Sequence, residues 1–168
     1  MAPDSPQPEP HPATDTPLDS LRTAVLGFVA GLRSMMPLAV LALHLEREGP
    51  DIADGGWILE ALASPAGAAA LGAAAVGEVI ADKLPSVPSR VEPLPLAARV
   101  ILGGCVGAFG NLAEGRASDR GALIGSLAAV AGALAGYALR TRLPGPPLLM
   151  ALFEDVLGLG LARWAVNR

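Results

Sequence analysis

Nineteen consecutive residues, Gly121 to Leu139 (GALIGSLAAVAGALAGYAL), carry no charge. An α-helix of that length reaches close to the roughly 30 Å of a bilayer's hydrocarbon. Arg140 and Arg142 follow and are placed to reach a headgroup layer. The run points to a membrane protein. It also raises the main question of this chain: why other apolar stretches contain Arg33, Glu78, Glu154 and Asp155.

Five apolar segments are expected to be helices. They run from about Leu21 to Leu45, Ala66 to Ala81, Leu96 to Leu112, Gly121 to Leu139 and Pro147 to Val166. The expected fold is all-α, a polytopic membrane helix bundle of about five transmembrane helices. The first is broken near Arg33–Pro37, because Pro37 has no N–H to give the carbonyl of Arg33. Residues 1–17 are Pro-rich and nearly without large apolar side chains, so a disordered tail is expected there. The tail lacks the basic start of a signal peptide. Residues 18–168 form a single transmembrane helical domain. An odd number of spans puts the two chain ends on opposite sides of the membrane. Lys and Arg divide six to five between those sides, a narrow margin for a cytoplasmic N-terminus.

Hydrophobic residues make up 52% of the chain but aromatics only 4%. The apolar content is therefore small, and Gly recurs four apart at 27/31, 103/107, 121/125 and 132/136. Residues four apart share a helix face, and glycine there lets backbones approach. Close packing within the chain is expected, with a homo-oligomer through the Gly-rich faces as the alternative. Gly77–Pro88 (GEVIADKLPSVP) and Gly136–Pro147 (GYALRTRLPGPP) share a G-x6-L-P-x2-P pattern, a faint internal repeat.

A charge at mid-bilayer is unfavourable by about 3 kcal/mol on insertion scales, so it normally faces the bundle interior and a partner. Arg33 has ten uncharged residues before it and twelve after. Its expected partner is Glu154 or Asp155, with Glu78 as the alternative. A broken turn there would also expose backbone beside the Ser34 hydroxyl. Glu78 and Asp82 share a helix face. Lys83, Ser89 and Arg90 sit in a loop stiffened by Pro85, Pro88 and Pro93, and Pro95 is placed to open the next helix. Such a loop suits an anionic group, a lipid phosphate for example. The candidate polar site is thus Arg33, Ser34, Glu78, Asp82, Lys83, Ser89, Arg90, Glu154 and Asp155. Three carboxylates against one Arg do not balance unless one keeps a proton.

The residues Gly31-Leu32-Arg33-Ser34 with Pro37, and Asp82-Lys83-Leu84-Pro85 through Pro88-Ser89-Arg90, resemble a family of small bacterial integral membrane proteins, domain of unknown function 4126. Arg99, the Gly121–Gly136 run and Glu154-Asp155 are similar too. The resemblance covers about residues 20–165. It implies a small multi-span membrane domain, and it brings no catalytic residues with it.

The composition gives no basic nucleic-acid surface, so nucleic acid is not an expected partner. The lone Cys105 excludes an internal disulfide. No nucleophile elbow and no His-rich metal set occurs, and His44 has no second ligand in sight. No catalytic group, metal or cofactor is called for. The expected location is the inner (plasma) membrane, multi-pass, with the lipid bilayer and an anionic lipid or small anion as partners. Two functions fit: a small transporter or permease-like protein with a polar intramembrane site, or a structural or assembly protein whose buried charges lock its helices. A cavity at Arg33 would favour the first, a dry ion-pair network the second.

Overall fold

Among the described residues proline opens five helices. A computed structural model describes residues 16–50, 56–81, 92–142 and 146–167. Among these the chain is entirely helical, with α1 (Pro17–Leu32), α2 (Met36–Glu48), α3 (Gly56–Ala63), α4 (Pro65–Ala81), α5 (Pro93–Ala113), α6 (Ser118–Arg142) and α7 (Pro147–Val166). Pro17, Pro37, Pro65, Pro93 and Pro147 stand at first or second positions, where a missing N–H removes no helical bond. The next helix after the stiff loop therefore opens at Pro93. Pro95 lies two residues further in, still within the first turn. Thr16 caps α1: its hydroxyl accepts from the Asp19 N–H while the Asp19 carboxylate accepts from the Thr16 N–H. The helix thus begins inside the segment expected to be tail.

Glycine joins α1, α5 and α6 into one unit. A methyl added at Gly27 or Gly31 would overlap the α6 backbone at Gly125 or Ala129. One at Gly107 would overlap Gly121, and one at Gly132 would meet the Phe28 carbonyl. The glycine spacing seen in the sequence is therefore used inside the chain. Small residues let backbones touch, and dispersion between them replaces the side-chain interlock of a soluble core.

The segment around Arg33 was expected to be one broken span. Instead it reverses. Val29 near the end of α1 and Met36 at the start of α2 both lie against Gly158 of α7. Six residues along α7, Trp164 lies under the Arg22 guanidinium near the start of α1. His44, near the end of α2, lines a cavity with Arg22 and Val166. So α2 runs back beside α1 as the second leg of a hairpin. The first turns of α1 and the last turns of α7 therefore lie at the same end of the bundle.

The hairpin also changes the span count. Among the described residues two helices, α5 and α6, are long and apolar enough to cross a membrane. The pair α3–α4 makes a third if it counts as one span, although it bends by 71° at Ser64. At 16 and 13 residues, α1 and α2 are each too short. In α7 the three charges of Glu154, Asp155 and Arg163 lower its apolarity. Five crossing helices are therefore not evident by length and composition. The short α3 was not expected at all. Its Leu59 is fully buried, and Ser64 both bonds back to the Ala61 carbonyl and accepts the Gly67 N–H.

Candidate functional site

The hairpin tip is where two helix ends meet. At the end of α1 the carbonyls of Gly31 and Leu32 have no helical donors left. The Arg99 Nη1 of α5 donates to both, at 2.9 and 3.0 Å. At the start of α2 the problem is inverted. The Ser34 and Met35 N–H groups donate to the two oxygens of Glu78 on α4, each at 2.8 Å. A cation thus caps the negative end of one helix and a carboxylate the positive end of the next.

Arg33 sits between them in extended conformation, φ −140° and ψ 105°, with its side chain only 1% exposed. Its Nε lies 2.5 Å from Asp155 Oδ1 on α7. The neighbouring Glu154 is equally buried and accepts from Arg140 Nη2 at 3.0 Å and Nε at 3.3 Å. Arg140, expected to reach the headgroups, is turned to this carboxylate instead. The tip therefore gathers six helices: α1, α2, α4, α5, α6 and α7. Burying a charge is tolerated only when it is compensated, and here Arg33 faces Asp155 and Arg140 faces Glu154.

The expected excess of carboxylates disappears here. Glu78, Glu154 and Asp155 are matched in number by Arg33, Arg99 and Arg140: two ion pairs, and one carboxylate and one cation that cap helix ends. Sequence reasoning missed Arg99 and Arg140 as members of this set. The available signal was position: Arg99 follows six residues of α5, and Arg140 comes just before the end of α6, each beyond an apolar run. Of the expected site residues, Arg33, Ser34, Glu78 and Asp155 converge on the tip, and Glu154 stands beside them. Asp82, Lys83, Ser89 and Arg90, with the stiff loop that carries them, lie outside the described residues.

The opposite end of the bundle is different. A buried Thr23 hydroxyl donates to Asn111 Oδ1 at 2.8 Å, and the Asn111 amide donates to the Ala117 carbonyl at 3.0 Å. Arg116 pairs with Glu114 in the α5–α6 turn. Two adjoining cavities of about 180 and 210 Å³ open here, sharing His44, Glu48 and Val166. Neither is lined by Arg33, Glu78, Glu154 or Asp155. No group of three or more His, Cys, Asp or Glu side chains could hold a metal ion among the described residues.

Polar and apolar groups are also inverted relative to a water-soluble protein. Arg33, Arg99, Asn111 and Glu154 are buried. Leu123, Leu127 and Leu134 of α6, Ile101 of α5 and Phe153 and Val156 of α7 are exposed. Contiguous exposed apolar surface of this kind marks contact with lipid or a partner. Together with the length of α5 and α6 it defines a membrane-associated helical protein. No family model matches the chain, and comparisons with curated proteins and with solved structures find no match either.

Proposed function

We propose that this is a multi-pass protein of the inner membrane, structural or assembly in type, whose intramembrane charges lock a re-entrant hairpin into the bundle. The observation that carries this reading is that every charge at the tip is engaged. Arg33 pairs with Asp155 and Arg140 with Glu154, while Arg99 and Glu78 cap the two helix ends, with Arg33 and Glu154 almost fully buried. In this reading α4, α5, α6 and α7 cross the bilayer, and the α1–α2 hairpin enters and leaves by one face. The charges of α7 do not prevent crossing, because Glu154 and Asp155 meet arginines inside the bundle. An even number of crossings puts both chain ends on one side. Compartment-sensitive reporters fused to each end should then respond alike, and opposite responses would reject this topology. Membership of the domain of unknown function 4126 family is part of the proposal and rests on the motifs around Arg33 and Lys83.

A second reading, a small permease-like transporter, is favoured by one feature. Helix ends that meet inside a bundle are also how broken-helix transporters hold ions and substrates. Thiol labelling separates the two. In a Cys105→Ser background, Ser34→Cys should resist a membrane-impermeant maleimide from both sides if the tip is a dry lock. Labelling from one side, together with solute flux in proteoliposomes, would establish the transporter.

A further inference from the structure

Arg22 stands apart from the other intramembrane arginines. It pairs with no carboxylate among the described residues, and its Nε is buried without a hydrogen-bond partner. Its guanidinium lies 5.9 Å from the centre of the Trp164 ring. A cation–π contact holds the group in place but leaves its N–H donors unspent.

Those donors border a cavity of about 180 Å³. Its inner wall is apolar, made by Leu26, Leu41 and Leu45. Its other cation, Arg116, is paired with Glu114, and His44 lies 3.7 Å from Glu48. Among the described residues Arg22 is therefore the lining cation without an ion-pair partner, while the lining Glu48 carboxylate is offset only when His44 is protonated. An indole beside a guanidinium is also the combination that settles at headgroup depth.

We infer that this cavity binds a phosphodiester group, with the Arg22 guanidinium on the phosphate oxygens and the leucine wall against the ligand's hydrocarbon. A forked guanidinium suits a phosphate better than a point charge does. The mixed lining suits an amphiphile better than a bare ion. The source is either a bilayer lipid or a soluble phosphate compound. The site is at the far end from the hairpin tip, so it stands whether the tip is a lock or a transport site.

The test uses the full chain in a neutral detergent, with Trp57→Phe so that Trp164 alone reports. Monomeric short-chain phosphatidylglycerol should change Trp164 fluorescence saturably. Arg22→Gln should weaken that binding about tenfold or more, as expected for loss of a charge-assisted contact. Glu48→Gln removes an exposed rim carboxylate and should tighten it severalfold. This second variant keeps the test valid if Arg22→Gln folds poorly. Saturation by inorganic phosphate at the same affinity would keep the phosphate chemistry and assign a soluble source. Equal binding of uncharged short-chain diacylglycerol, or no response to either substitution, would overturn the assignment.

Discussion

The two ends of this bundle hold the same kinds of side chain and use them oppositely. At the hairpin tip, arginines and carboxylates close on each other and on helix ends. At the other end Arg22, His44 and Glu48 surround open space. The difference comes from how the backbone arrives. At the tip two helices stop inside the protein, leaving carbonyls and N–H groups that must be satisfied there, so the charges are drawn into capping them. At the other end α1, α2, α5 and α7 begin or end at the rim of the bundle, where water can satisfy the termini and side chains stay available.

Removing Arg33 should have the largest effect. Arg33→Leu leaves Asp155 beside an apolar replacement, and breaking a buried pair in this way lowers stability by about 3–5 kcal/mol. Asp155→Leu added to it should restore a large part, because an apolar pair of similar volume is tolerated. Thermal unfolding in detergent, run on both single variants and the double, measures the coupling. Simple additivity would mean the tip is not a lock.

Next in size is the glycine contact that joins the ends. Gly125 packs against Gly103 and Gly107 on α5, and a methyl there meets that backbone. Backbone cannot swing aside as a side chain can. Gly125→Ala should lower stability by about 1–3 kcal/mol despite its better helix propensity. Gly77→Ala on α4, where nothing lies within 4 Å, should instead raise it by about 0.5–1 kcal/mol. If both substitutions moved stability the same way, the contact would not be the cause.

Much of the helix set was legible because apolar runs bounded by Pro and charge mark helices whatever the tertiary fold. The expected Pro147–Val166 matches α7, and Ala66–Ala81 differs from α4 by one residue. The partner of Arg33 was legible too, since a lone cation in an apolar run requires an acid. The reversal at Arg33 was not. Pro37 announces that a helix stops but says nothing about the direction of the next one. Arg99 and Arg140 were missed for a related reason. A cation near a segment end reads first as snorkelling to the headgroups, and only the meeting of helix ends at the tip shows what draws it inward.

A smaller effect is expected from Glu78→Gln. The amide keeps an acceptor for one N–H and loses the charge facing the start of α2, a change of about 1 kcal/mol. Its clearest sign would be local: faster hydrogen exchange at the Ser34 and Met35 amides, with the α5–α6 interface unaffected. Uniformly faster exchange would mean that α4 is held by more than this carboxylate supplies.

The smallest effect on stability should come from Arg22, and that is what makes the contrast between the ends testable. Its guanidinium caps no helix and neutralises no carboxylate among the described residues, so Arg22→Gln removes mainly the contact with Trp164. A partly exposed cation–π contact contributes about 0.5–1 kcal/mol. Its loss is further offset because the buried Nε, which has no hydrogen-bond partner, is removed with it. Unfolding of Arg22→Gln in ligand-free detergent should therefore fall within about 1 kcal/mol of the parent chain. Arg33→Leu should lose several times as much. A loss at Arg22 as large as that at Arg33 would show that both ends are structural locks. The open end would then have no side chain to spare for a ligand.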